Sequence, residues 1–163
     1  MKPMKIYVAS SWRNEFQPDV VSELRKNGFD VYDFKENNKW FHWTDIDPNW
    51  KQWNFKDFDH ALQHEIANKG YGKDYHAMEE ADACVLVLPA GRSAHMEAGW
   101  CKGERKYTCV YFPPEMPFTS VDVELMYKLA DYISMDISFI ITHLKNHEKE
   151  LKERDESFMR SEF

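Results

Sequence analysis

Asp82-Ala83-Cys84-Val85-Leu86-Val87-Leu88-Pro89-Ala90-Gly91-Arg92-Ser93-Ala94-His95-Met96-Glu97-Ala98-Gly99-Trp100 is the stretch that decides the fold. Residues 83–88 are apolar without alternation, the pattern of a strand buried on both faces of a sheet. Pro89 closes that strand, and the small residues Ala90 and Gly91 turn the chain into a helix expected to begin near Ser93 or Ala94. The segment therefore predicts a central parallel strand with Glu97 in the first turn of the helix after it. Ligands of open α/β sheets collect beyond the carboxyl ends of the strands, and the unpaired N–H groups of a helix start attract anions. A carboxylate there can also serve the helix alone, by complementing its dipole or by reaching back to the N–H of Ala94. The turn carries neither the lysine of a P-loop nor the three glycines of a dinucleotide fingerprint.

Outward from this unit, the same alternation of strand and helix recurs. Residues 5–9 read as a first strand, followed by the polar turn Ser10-Ser11-Trp12-Arg13-Asn14. A helix is expected over residues 18–26, with Val20, Val21 and Leu24 on one face, Pro18 in its first turn and Asn27-Gly28 as a left-handed stop. Residues 29–34 alternate as a second strand. Beyond Glu97, residues 107–112 read as a fourth strand ending at Pro113-Pro114, and residues 124–132 combine a short helix with a short fifth strand. Residues 136–153 form a terminal helix with Ile137, Ile140, Ile141 and Leu144 inward. The expected architecture is α/β: a doubly wound, flavodoxin-like or Rossmann-like parallel sheet of five strands in the order 2-1-3-4-5. It makes a single domain over residues 1–153, followed by a charged tail, 154–163.

Residues 36–58 interrupt the pattern. Trp40, Phe41, Trp43, Trp50, Trp53, Phe55 and Phe58 are crowded among polar residues without a period of two or 3.6, and four of the six tryptophans lie here. So many aromatics exclude disorder. Two readings remain open for this aromatic-rich insertion after strand 2. It is a second small cluster covering a sheet edge, or a lid in which Trp43 or a neighbour stacks on a planar base. A helical segment over 58–68 carries His60 and His64, spaced to share a metal, yet no H-E-x-x-H pattern or third ligand accompanies them and no metal is expected. After Lys69-Gly70-Tyr71-Gly72, residues 74–81 are expected to form a separate helix that Asp74 would cap.

Composition narrows the function. The 163 residues carry a formal net charge of −7, and no stripe of Lys and Arg follows a phosphate backbone, so a small molecule is expected as partner rather than polymeric nucleic acid. The N-terminus lacks a signal h-region and no run is long enough to span a membrane, so a cytoplasmic location without membrane partners is expected. Cys84, Cys101 and Cys109 are odd in number and mostly in apolar contexts, as suits reduced thiols.

The segments Lys5-Ile6-Tyr7-Val8-Ala9-Ser10-Ser11, Asp74 through Asp82 with its strand, and Glu97-Ala98-Gly99 together resemble the nucleoside 2-deoxyribosyltransferase superfamily. That superfamily includes the deoxynucleoside 5′-monophosphate N-glycosidases and is akin in fold to TIR-like NAD-cleaving domains. The likeness covers about the first two thirds of the chain, apart from the tryptophan-rich insertion. It implies that Glu97 is a nucleophile attacking C1′, and that Asp74 is the second catalytic group, near the base. Breaking an N-glycosidic bond builds positive charge at C1′ and negative charge on the base, so a carboxylate below the sugar and a proton donor beside the base suit the chemistry. Asp82 is expected to anchor its strand or a sugar hydroxyl. The resemblance implies that a tyrosine near Tyr7 can orient the nucleophile, though a half-buried strand tyrosine needs no such role. His95 is expected to face solvent. No metal or redox cofactor is implied.

The chain has its own features against that background. Ser10, Ser11 and Arg13 in the first turn, with Gly91, Arg92 and Ser93 in the second, can gather hydroxyls, N–H groups and two guanidiniums around a phosphate, which suggests a nucleotide. The two arginines can equally point to solvent or pair with acidic residues. The resemblance also implies a homodimer or larger homo-oligomer, through the segment Val121 to Lys128 or the apolar face of the last helix. Two other functions fit the same pattern: a nucleotide-sensing module with little catalysis, and a TIR-like NAD glycohydrolase using the same glutamate.

Overall fold

The structure, a computed structural model, describes residues 2–36 and 41–161, with side chains described through residue 158. Trp40 of the aromatic stretch lies outside the described residues. The chain divides into two compact units, one of Met1–Tyr32 with Ala81–Phe163 and one of Asp33–Glu80.

The first unit is an all-parallel sheet of five strands: β1 (Lys5–Ala9), β2 (Asp30–Tyr32), β3 (Ala83–Val87), β4 (Tyr107–Tyr111) and β5 (Tyr132–Ser134), in the order β2-β1-β3-β4-β5. The order expected from sequence is the one observed. Every residue of β3 is buried, because parallel strands covered on both faces have no solvent side. From β1 the chain first winds to β2 on one side and then to β3 on the other, so the topological switch point lies between β1 and β3, which pair from Ile6↔Ala83 to Ala9↔Leu86. Asp82 anchors the start of this pair: its carboxylate accepts from the Lys5 N–H at 2.8 Å, and its own N–H donates to the Lys5 carbonyl at 2.9 Å. It therefore sits at the amino ends of the strands, opposite their carboxyl edge.

One face of the sheet is covered by α1 (Gln17–Lys26) and α5 (Ile137–Ser161), which meet Ile6, Val8, Val85 and Val87 with Val20, Val21, Leu24, Ile140 and Leu144. Burying each of these larger aliphatic side chains stabilises the fold by roughly 1.5–3 kcal/mol. Gly28 ends α1 at φ +93°, a left-handed conformation that favours glycine, as the Asn27-Gly28 stop predicted. The stripe Ile137, Ile140, Ile141 and Leu144 is packed into this core, so it is unavailable as an association surface. Helix α5 runs to Ser161, eight residues beyond the expected end at 153, with Glu148–Lys152 (3.1 Å) and Lys149–Glu153 (3.7 Å) as i,i+4 pairs along its charged part.

The other face of the sheet, bearing Tyr7, Cys84 and Leu86, receives α4 (Arg92–Gly103), which buries Ala94, Ala98 and Cys101. The Cys84 thiol, by hydrogen bonding to Cys101 and by burial, is held well above the ordinary thiol value, whereas the same hydrogen bond, with help from Lys106, lowers Cys101. Burial and then Asp131 push Cys109 up to about 12. Access decides reactivity here, since all three sulfurs belong to residues that are 0% exposed. A thiol reagent such as dithiobisnitrobenzoate is expected to titrate none of the cysteines in the native protein and all three after unfolding; prompt native labelling of Cys101 would show that its lowered pKa outweighs burial.

The second unit holds α2 (Phe55–Leu62) and α3 (Glu65–Glu80). The expected division differs: residues 65–80 form one helix running through Gly70 and Gly72. Each glycine costs the helix about 1 kcal/mol, and Gly70 has a packing reason, because a Cβ there would stand 3.0 Å from the Cβ of Phe41. Asn54 opens α2 with a capping box, its side chain accepting from the N–H of Lys56 and Asp57 while Asp57 accepts from the Asn54 N–H. His64 lies between the helices and accepts from the Ile66 N–H at 3.1 Å, so His60 and His64 do not share one helix face. Among the described residues no group of three or more His, Cys, Asp and Glu is arranged to hold a metal.

Candidate active site

Glu97 is the sixth residue of α4, so it stands in the second turn and not the first. The helix begins at Arg92 with Gly91 as its N-cap, and no side chain caps it. A glutamate this far along cannot form the reciprocal capping contact, which requires the third helical position. Its carboxylate turns toward the sheet, where the Tyr7 hydroxyl donates to Oε2 at 3.1 Å. Tyr7 itself is 1% exposed, and its ring stacks on Tyr32 with centroids 5.5 Å apart. A buried tyrosine on the strand beside the switch point thus holds one oxygen of a half-buried carboxylate on the helix that follows β3. The hydroxyl can steady the carboxylate as an anion.

One turn before Glu97, on the same side of α4, is Ser93. Ser93, Gly91 and Arg92 form one wall of an open cleft of about 360 Å³, and Ser10, Ser11 and Arg13 form the other, with Trp12 and Ala94 completing it. Six residues expected from sequence to bind substrate are therefore brought together in one place. Ser10 donates its hydroxyl to the Val87 carbonyl at 2.9 Å, and the Ser11 hydroxyl accepts from the Arg13 N–H at 3.3 Å. Among the described residues neither Arg13 nor Arg92 is in an ion pair, and both are exposed along the cleft. Two guanidiniums, hydroxyls and an uncapped helix start make this a cleft suited to an anion.

Asp74 and Trp43 belong to the second unit. Asp74 is half-buried in the interior of α3 and is not its N-cap, so capping does not account for an aspartate at that position. Trp43 is the centre of an aromatic cluster, meeting the rings of Phe41, Trp53 and Phe58 edge-on at centroid distances of 4.6, 5.5 and 5.8 Å. The Trp53 indole donates to Asp47 at 2.7 Å and holds that carboxylate below its ordinary range. These contacts account for much of the aromatic crowding as packing within the unit.

His95 is more engaged than its expected solvent-facing place. Its Nδ1 lies 2.8 Å from the Gly91 carbonyl, and its Nε2 lies 2.9 Å from the Tyr127 hydroxyl. In the tautomer whose Nδ1 donates to the carbonyl, Nε2 accepts from the Tyr127 hydroxyl. It joins the start of α4 to the segment before β5. Asn14, in sequence only one residue of a polar turn, is buried among hydrogen-bond partners. Its partners at Val87 and Pro89 are more than 70 residues away, beyond any short-range signal.

No protein-family model matches the chain, and no curated protein does. Among solved structures, it is similar to a 2-deoxyribosyltransferase from Bacillus psychrosaccharolyticus, with 19% identity, 84% of this chain and 90% of that one covered, and a TM-score of 0.54. It is also similar to a conserved protein from Enterococcus faecalis V583, with 12% identity, coverage of 88% and 98%, and a TM-score of 0.60. A more distant similarity is to a CMP N-glycosidase from Clostridium botulinum, at 14% identity, coverage of 86% and 98%, and a TM-score of 0.43, too low to establish a common fold. The first two likenesses are of fold.

Proposed function

We propose that the chain cleaves or transfers the N-glycosidic bond of a nucleoside or its 5′-monophosphate, with Glu97 as nucleophile. The observation that carries this reading is the Tyr7-held carboxylate one helical turn from an arginine- and serine-lined cleft. A helical turn rises about 5.4 Å, comparable to the span of a sugar and its exocyclic carbon, so a 5′-phosphate in the cleft leaves C1′ within range of Glu97. The carboxylate attacks C1′, and the C1′–N bond breaks with its electron pair passing to the base. Asp74 supplies the proton or a hydrogen bond to the departing base. Water or a second base then attacks C1′, and Glu97 leaves as the free carboxylate. Fold similarity to a 2-deoxyribosyltransferase supports glycosidic chemistry of this kind. The test is release of free base, followed by chromatography, from a panel of nucleosides, 5′-monophosphates and NAD. Release from a nucleoside or monophosphate is expected; release from NAD alone favours a glycohydrolase, and none from any compound favours a sensing module.

Assembly belongs to the same proposal. With the α5 stripe in the core, an exposed apolar surface is offered by the segment before β5, where Val121 is 89% and Leu125 74% exposed, beside Met96 of α4 at 76%. This segment and α4 border a largely apolar cavity of about 760 Å³. Covering such a surface with a second copy is the commonest solution in soluble oligomers. Light scattering at tens of micromolar (a range set by ordinary affinities) is expected to give at least twice the 19.5 kDa chain mass. Leu125→Asp is expected to shift it toward the single chain. A 19.5 kDa particle for the unaltered protein would remove the oligomer.

A further inference from the structure

The two walls of the anion cleft are separate turns, one after β1 and one after β3, and the side chain of Asn14 reaches from the first to the second. Asn14 is 2% exposed. Its Nδ2 donates to the carbonyls of Val87 at 3.1 Å and Pro89 at 3.0 Å, at the exit of β3. Its Oδ1 accepts from the N–H of Phe16 at 2.7 Å and of Gln17 at 2.9 Å, at the start of α1. Both donors and the acceptor of one amide are thereby engaged, half on each turn. Ser10 adds a parallel tie from the same turn to the Val87 carbonyl. Asn14 does not line the cleft, so its effect on a ligand there passes through Ser10 to Arg13 on one side and Gly91 to Ser93 on the other.

Capping the turn that leads into α1 explains only half of this, since the N-cap of the helix itself is Phe16. Asn, Asp or Ser can each offer an oxygen to N–H groups two and three residues on. The paired carbonyls of Val87 and Pro89 need donors, and among those three only asparagine offers its oxygen to α1 and two protons across to β3. We infer that Asn14 is a positioning residue: it sets the separation of the two turns, and so selects for a ligand that bridges both walls through a phosphate. This rests on the phosphate reading of the cleft given above.

The variants separate cap from tether. Asn14→Ser keeps an oxygen for the Phe16 and Gln17 N–H groups but cannot reach the β3 carbonyls. Asn14→Asp keeps the cap and sets carboxylate oxygen against those carbonyls, and Ser10→Ala cuts only the parallel tie. Binding of thymidine 5′-monophosphate, thymidine and orthophosphate is measured by calorimetry in the full chain, with Glu97→Gln present throughout to stop turnover. Because small displacements of a binding group cost binding and rate steeply, both Asn14 variants are expected to lower the ratio of monophosphate to thymidine affinity by ~10-fold or more while thymidine affinity stays within ~2-fold. Orthophosphate should weaken in parallel, and Ser10→Ala should give a smaller change in the same direction. A loss shared equally by monophosphate and thymidine would make Asn14 a support of the fold only, overturning the inference. Retention of the ratio in the Asn14 variants while Arg92→Ala abolishes it would overturn the inference and leave the phosphate reading standing. Equal affinity of the parent protein for monophosphate and thymidine would overturn both.

Discussion

Glu97→Gln is expected to leave the fold intact and to cut base release by roughly two orders of magnitude or more, the usual scale for losing a covalent or acid–base group. Glutamine is nearly isosteric and can still accept from the Tyr7 hydroxyl, so the contact that orients the side chain survives. What disappears is the anionic oxygen proposed to attack C1′. Glu97→Ala should match it in activity. Tyr7→Phe removes the hydrogen bond while keeping the ring that stacks on Tyr32, and is expected to lower turnover less than loss of the carboxylate does. Steady-state base release on a substrate found in the panel measures all three; near-normal turnover by Glu97→Ala would exclude Glu97 as nucleophile.

The phosphate gives the second large effect. A 5′-monophosphate is expected to bind more tightly than its parent nucleoside, and Arg92→Ala to erase most of the difference. A charge-assisted contact from the guanidinium contributes on the order of 1.5–3 kcal/mol, or ~10- to 150-fold in affinity. Arg92 is expected to retain this contribution because, among the described residues, it has no carboxylate partner from which a phosphate must compete it away. Calorimetry on both ligands decides, and equal affinities would remove the phosphate from the account.

The parts of this fold that were legible in sequence are those set by local pattern. The apolar run of β3 announced a strand covered on both sides, and the turns after β1 and β3 placed Ser10, Ser11, Arg13, Gly91, Arg92 and Ser93 at the carboxyl edge of the sheet, where they line one cleft. Boundaries were lost where the local signal was absent or misleading. Gly91 caps α4 without a side chain, so the helix start moved from the expected Ser93 or Ala94 to Arg92, and Glu97 moved into the second turn. Gly70 and Gly72 read as a break, yet Phe41 packs where a side chain at 70 would stand. Residues 154–161 read as a charged tail beyond the helix, yet they continue α5 to Ser161. Asn14 was illegible for a different reason, since its two β3 partners are distant in sequence and meet it only when the sheet forms.

The proposed covalent bond from sugar C1′ to Glu97 is detected by mass spectrometry of the protein after incubation with a 2′-fluoro analogue of a processed substrate. Fluorine beside C1′ disfavours the positively charged transition states of both steps, and a good leaving base lets the first proceed so that the glycosyl-enzyme accumulates. The account predicts an intact mass increased by one fluorinated sugar, or sugar phosphate, per chain. Peptide mapping should place it on Glu97, with none on Glu97→Gln. An adduct on another residue, or base release from the analogue with Glu97 unmodified at every time point, would contradict it.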